Sequence, residues 1–145
     1  MRTQPSGLLT VTPADDAYRL LRSTYTTRHS PAEILLPGTA AEVSEAVMYA
    51  AATDLPVSVR SGGHGLSGTS SNDGGMVVDL SRMNAVTVLD RDTRLVRVGA
   101  GARWAEVASA LAPYELAISS GDHGNVGVGG LATAGGLGWL VRIYA

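Results

Sequence analysis

Apolar and polar positions follow two rhythms along this chain, and those rhythms predict most of its elements. Ala17, Leu20, Leu21 and Tyr25 recur at helical spacing within residues 14–25 and predict a short helix. Ile34-Leu35-Leu36 is an apolar run stopped by Pro37-Gly38, the pattern of a short buried strand. Thr39 and Glu42 then form Thr-x-x-Glu, a capping box in which each side chain satisfies the other's backbone N–H. Val43, Ala46, Val47, Ala50 and Ala51 follow on one helical face, and Val57-Ser58-Val59-Arg60 reads as the next strand beyond Pro56. Strand, helix and strand make a βαβ unit, expected to be parallel and right-handed. Met76 to Leu80 is a further buried strand, and 85–89 with 95–98 alternate about Asp90-Arg91-Asp92-Thr93 as a hairpin with a solvated tip. Gly99-Ala100-Gly101 is expected to open a second helix, with Trp104, Val107, Ala108 and Leu111 on its core face and Pro113 at its end. Leu116 to Ile118 reads as a short strand, and residues 1–12 as a loose start. There is no internal repeat and no linker.

Composition narrows the chemistry. At 145 residues, 45% hydrophobic and 17% charged, the chain has the length of one domain and the means to bury a core. Eleven basic against 13 acidic residues, a net of −2, leave no electrostatic footprint for nucleic acid or an anionic membrane. All eleven basic residues are arginine, which removes the lysine-dependent P-loop and Schiff-base chemistry. With no cysteine there are no disulfides, thiolate metal sites or cysteine nucleophiles, and the three histidines are too scattered to nominate a metal site. No signal peptide or membrane span is read, so the expected location is cytoplasmic. The apolar run Trp139 to Ala145 has no cap or polar tail, so it is expected either to dock in the core or to continue into a longer protein.

Glycine is the informative residue. Sixteen of the 18 glycines follow residue 60, and eight lie between Gly121 and Gly138. Each costs about 0.5–1 kcal/mol more than alanine to order, so eight carry about 4–8 kcal/mol. Close approach of backbone to a large, phosphate-rich ligand accounts for that cost; tight packing of small residues is the other reading, and the two are compatible.

Gly63-His64-Gly65-Leu66-Ser67-Gly68 fits the G-x-G-x-x-G dinucleotide fingerprint, which also requires a helix opening at those glycines. Thr69-Ser70-Ser71-Asn72-Asp73-Gly74-Gly75 follows instead and predicts a long loop, so the fingerprint is rejected. The nucleophile elbow G-x-S-x-G also fails, because Gly68-Thr69 follows Ser67. Two loops remain: Val59-Arg60-Ser61-Gly62-Gly63-His64-Gly65, and Gly121 to Gly130.

Pro-Gly-Thr-x-x-Glu-Val at 37–43, Arg-Ser-Gly-Gly-His at 60–64 in the first loop, Val-Asp-Leu-Ser-Arg-Met-Asn at 78–84, Gly-Ala-Gly-Ala-x-Trp at 99–104 and the glycine-rich run from Val126 to Leu140, which takes in the end of the second loop, form five collinear blocks. Their pattern resembles the FAD-linked oxidase family, with the fold of p-cresol methylhydroxylase (PCMH) and vanillyl-alcohol oxidase, in its berberine-bridge-enzyme-like and 6-hydroxynicotine-oxidase-like branch. The resemblance covers about Ala32 to Arg142. It implies an α+β (α/β) fold of the PCMH type: a βαβ subdomain and the start of a second mixed α/β subdomain within 32–145, after an extension 1–31 with a short helix.

The cofactor implied is FAD. In the family the histidine of the Arg-Ser-Gly-Gly-His loop is bonded to the 8α carbon of the flavin, and that position is His64 here. A neutral imidazole suits such an attack, with an unperturbed pKa of about 6.5. Ser61, Gly62, Gly63, Gly65, Ser67 and Gly68 are expected to form an anion-binding nest for the pyrophosphate. Arg60 is expected to add a charge-assisted contact of about 1.5–3 kcal/mol. Gly121, Gly127, Gly129, Gly130, Gly135 and Gly136 would hold backbone against the flavin and its phosphates, between apolar walls at Val126 and Leu137. Family members with two covalent links place a cysteine where His123 stands, so a cysteinyl link is excluded. His123 is read as lining the pocket or as a solvated loop residue, and Asp122 as an acceptor for a ribose or ring hydrogen bond.

The activity implied is hydride transfer from a small organic substrate to the flavin, with dioxygen taking the electrons. The family's substrate domain lies beyond residue 145, so no catalytic base is nominated and the chain alone is expected to be inactive. Two alternatives stay open: a non-covalent FAD dehydrogenase domain on the same fold, and a non-enzymatic fragment.

Overall fold

The computed structural model describes residues 7–138 and 140. Four strands form the first sheet: β1 (Thr10–Val11), β2 (Glu33–Leu35), β3 (Val57–Arg60) and β4 (Met76–Asp79), in the spatial order β1-β2-β4-β3. β1 runs antiparallel to β2, while β2 and β3 both run parallel to β4. The expected βαβ unit is therefore present and parallel, but β4 lies between its two strands. All four residues of β4 are buried, because the strand has neighbours on both edges and packing on both faces. On one face Leu8, Leu35, Met76 and Val78 pack beneath Ala46 and Ala50 of helix α2 (Ala40–Ala51). On the other, Val11, Ile34, Leu36 and Val77 pack against Tyr18 of the short helix α1 (Tyr18–Leu21). Each fully buried branched side chain contributes about 1.5–3 kcal/mol, so these two layers anchor the unit.

Local chemistry explains where several expectations shift. Residues 7–12 are no loose start: Leu8 enters the core just before β1 and Val11 within it, a strand too short to carry an alternation signal. The helix expected over 14–25 contracts to α1, and Tyr25 emerges 69% exposed. At the start of α2, Thr39 Oγ1 accepts from Glu42 N as expected. The Glu42 carboxylate, however, accepts from Gly38 N at 2.6 Å, one residue further back than the capping box requires. Ala46 and Ala50 are the buried residues of that helix, and Val47 faces solvent.

The second unit is built on the hairpin β5 (Val86–Asp90) and β6 (Leu95–Val98). Val86, Val88, Val96 and Val98 cover Trp104, Val107 and Leu111 of helix α3 (Trp104–Leu111). Gly99 and Gly101 do not open this helix. They lie against the carbonyls of Met83 and Leu80, where no Cβ fits, and α3 begins after Arg103. No strand forms at 116–118. Helix α4 (Val128–Ala134) occupies the glycine-rich stretch that reads as a loop in sequence. It forms because Val128 and Leu131 dock on the α3 core, a tertiary contact that outweighs poor propensity. Among the described residues no helix is long and apolar enough to cross a membrane. The expected segment 139–145 lies outside the described residues except at position 140.

Candidate functional site

The site begins at the C-terminal end of β3. Along this edge strand the pleat turns Ser58 and Arg60 inward, while Val57 and Val59 remain exposed, at 45% and 57%. Polar-in, apolar-out is the reverse of an ordinary solvated strand face. Val59 lines a cleft of about 550 Å³, a size typical of cofactor pockets.

Two loops make the cleft. The first, 61–75, contains no helix, which is the structural reason the dinucleotide fingerprint fails. The second, 121–127, is zippered to the start of α3. Trp104 N donates to Val126 O at 3.1 Å, Ala105 N donates to Gly124 O at 2.9 Å, and Arg103 Nη1 reaches Asn125 O. Val128 N donates to Ala102 O, so α4 starts at a fixed place. The loops then meet main chain to main chain. A Cβ on Gly62 would lie 2.7 Å from Gly127 Cα and nearer still to Gly127 N, and a Cβ on Gly127 would strike Gly62 N and Ser61 Oγ. Ser61 Oγ is itself held by a 2.6 Å bond to Ala100 O.

The glycines fall into two kinds. Gly62, Gly127 and Gly129 are required by packing, since backbone or a seryl side chain fills the space a Cβ would take. Gly130 and Gly135 line the cleft with nothing within 4 Å of a built Cβ, and Gly65 meets only Ser67 Oγ at 3.9 Å. Gly130 and Gly135 face open space, and Gly65 makes only that one van der Waals contact. Gly63 and Gly135 also hold positive φ, +70° and +78°, which L side chains rarely adopt.

Of the residues nominated from sequence, Ser61, Gly62, Gly63, His64, Gly65, Ser67, Val126, Gly127, Gly129, Gly130 and Gly135 line the cleft. Gly68, Gly121, Asp122, His123, Gly136 and Leu137 do not. Gly68 is a positive-φ turn packed on Thr27, and Leu137 is 84% exposed. Asp122 is exposed and His123 sits outside the cleft, where its Nδ1 accepts from Asn125 N.

Arg60 requires correction. Its guanidinium does not reach the cleft. Nε donates to Asp79 Oδ2 at 2.7 Å, with both side chains about 95% buried. The two residues are register partners on β3 and β4, so the pleat aims Arg60 away from the face that carries Val59. Arg60 is a prop under the loop, and its alkyl stem packs 3.3 Å from the Cβ position of Gly63.

Sequence reasoning missed Val59, Thr69, Ser70, Leu80, Ala100, Leu131, Thr133 and Ala134 in the lining. The outward valines of β3 were the readable signal; the others depend on how α4 docks. Among the described residues no arginine or carboxylate lines the cleft. Hydroxyls, backbone and apolar walls do, a set suited to a ligand whose phosphates are met by main-chain N–H groups. Among the described residues there is no cluster of potential metal ligands.

His64 is half-buried at the cleft wall. The Tyr25 ring stacks on it with centroids 4.6 Å apart and planes at 14°, and the His123 ring lies 5.8 Å away. Burial holds the His64 pKa below the ordinary imidazole value, with help from the Arg103 guanidinium and then His123. The neutral ring is favoured, which leaves a nitrogen lone pair available.

Comparison with known proteins agrees with this geometry. Residues 31–145 match the family model described as FAD binding domain. The (R)-6-hydroxynicotine oxidase of Paenarthrobacter nicotinovorans is 36% identical over 134 residues, which is 91% of this chain and 29% of that protein. The crystal structure of 6-hydroxy-D-nicotine oxidase from Arthrobacter nicotinovorans superposes with a TM-score of 0.90 at 34% identity, covering 95% of this chain and 31% of that one. Glucooligosaccharide oxidase from Acremonium strictum, whose FAD is described as 6-S-cysteinyl, 8α-N1-histidyl, gives 0.84 at 25% identity over 92% of this chain and 29% of that one. The chain thus spans about 30% of the length of these relatives. Its fold, its cleft and these matches place it together: the chain belongs to the FAD-binding-domain family of FAD-dependent oxidoreductases.

Proposed function

We propose that FAD occupies the cleft between the two glycine loops, that His64 binds it covalently, and that the chain is the cofactor-holding part of an oxidase. The carrying observation is the main-chain contact of Gly62 with Gly127 beside a cleft whose wall includes a neutral-favoured histidine. Bound flavin supplies the redox chemistry, accepting hydride from a small organic substrate and passing the electrons to dioxygen. The protein's own residues do the holding. Gly65, Gly130 and Gly135 admit the ligand to main-chain distance, and Val59, Leu80, Val126 and Leu131 exclude water from the apolar wall.

His64 would hold the flavin through a bond from a ring nitrogen to its 8α carbon, the imidazole N–H and the methyl group each giving up one hydrogen and dioxygen taking both, with two electrons, as hydrogen peroxide. A depressed His64 pKa serves this step because the protonated ring has no lone pair to give. Substrate recognition belongs to the part of the relatives' length that this chain does not span.

The test is to load the chain with FAD, record the oxidised-flavin absorbance, and precipitate with acid. A yellow pellet that His64→Ala abolishes is the expected result. Colour confined to the supernatant refutes the covalent link and leaves a non-covalent FAD site. No flavin bands in the loaded chain refute the assignment of the cleft.

A further inference from the structure

We propose that Tyr25 is the positioning residue for His64: its ring fixes the plane of the imidazole so that an in-plane nitrogen is presented to the flavin. This rests on the covalent attachment proposed above. A nearly parallel stack, 4.6 Å between centroids and 14° between planes, covers a face of the imidazole. The two ring nitrogens lie in the plane, at the edge, and stacking leaves them open. A face-on contact therefore restrains the ring without competing for the lone pair that must react.

The surroundings make the stack specific. Tyr25 belongs to no helix or strand, yet its backbone N–H donates to Gly63 O at 2.9 Å, which ties it to the residue before His64. Thr24 Cα lies 3.8 Å from the Cβ position of Gly63, and Arg60 Nη1 reaches Ser23 O at 3.5 Å. The segment 23–25 is thus fastened along the underside of the loop. Tyr25 is 69% exposed, so the core does not account for the ring's placement; His64 is its aromatic partner. The groups that face His64 are Tyr25, His123 and the Arg103 guanidinium. Of these, Tyr25 makes the closer and flatter ring contact.

The test compares Tyr25→Phe and Tyr25→Ala with the parent chain. Both variants keep the backbone bond to Gly63, so they isolate the ring. The readouts are the rate at which acid-stable flavin appears in the protein after FAD is added, and the NMR shifts of the His64 ring protons before it is added. In the parent and in Tyr25→Phe those protons should show the upfield ring-current shift of a stacked aromatic, with attachment rates within about twofold. In Tyr25→Ala the ring-current shift should vanish and attachment should slow at least tenfold, with FAD binding and thermal midpoint unchanged. If the parent attaches flavin and Tyr25→Ala attaches it equally fast, the positioning role is overturned while covalent attachment stands. If the parent attaches none, attachment fails and the role of Tyr25 falls with it. If the His64 shifts do not respond to loss of the ring, the stack itself is refuted.

Discussion

Gly130→Ala tests whether a glycine that packing does not require serves the proposed ligand. Gly130 is the third residue of α4, lines the cleft, and has nothing within 4 Å of a built Cβ. Its φ lies outside the left-handed region. In the flavin-free chain alanine therefore meets no obstacle, and the gain in helix propensity should stabilise the fold by about 0.5–1 kcal/mol. For a chain of this size that raises Tm by about 1–4 °C. If FAD fills the cleft as proposed, the same methyl group narrows the space at its wall. Overpacking by one carbon costs about 1–3 kcal/mol, which corresponds to about 5- to 160-fold in Kd. The assay is differential scanning fluorimetry of the flavin-free protein together with a flavin-fluorescence titration. Gly62→Ala is the contrast: its Cβ would meet the Gly127 main chain, so stability and FAD binding should fall together. The reasoning is refuted if Gly130→Ala binds FAD like the parent, or if it destabilises the flavin-free chain.

Other expectations are independent of that one. Asp79→Ala removes one member of a buried ion pair and strands the Arg60 guanidinium; it should cost about 3–5 kcal/mol in urea denaturation. The His64 ring should titrate by NMR below the ordinary imidazole range of about 6.5, and Arg103→Gln should raise its midpoint. A depressed histidine pKa contributes stability that is full above the unfolded-state value and lost as pH falls through the folded-state value, so the flavin-free chain should weaken on acidification below about pH 6.5, less steeply in His64→Gln. Asp73 is held below the carboxylate range chiefly by its hydrogen bond with His29, then by Ser30 N–H. What it contributes should persist above about pH 3.9 and disappear below it, and Asp73→Asn should remove that dependence in acid unfolding. Amide exchange across 121–138 should slow when FAD binds, because ligand contacts offset the ordering cost of eight glycines; identical exchange with and without FAD would contradict this.

Much of the scaffold was legible in the amino-acid order. Strands of branched apolar residues, a capped helix after Pro37-Gly38 and an alternating hairpin are local signals, set by side-chain sterics and the hydrophobic period, and β2, α2, β3, β4, β5 and β6 follow them closely, while α3 keeps its expected core face but starts later. The two loops were also readable, because so many glycines carry an ordering cost that local structure does not explain. What local pattern did not contain was distance. That Gly62 lies on Gly127, 65 positions later, is set by how α3 docks on the hairpin and draws the second loop after it. The same docking makes a helix of the Val128–Ala134 stretch, whose own propensity argues against one. Arg60 looked like an anion contact from its place beside the glycines, but pairing with Asp79 across two parallel strands turned it inward. Tyr25 looked like one face of a helix, and the chain's return beneath the loop made it the partner of His64. Composition and periodicity thus determined most of the elements, since these depend on residues a few positions apart, and the collinear motif blocks carried the resemblance that implied FAD. The tertiary structure alone decided which side chains reach the cleft, because that depends on the pleat, the strand order and the packing of segments remote in sequence.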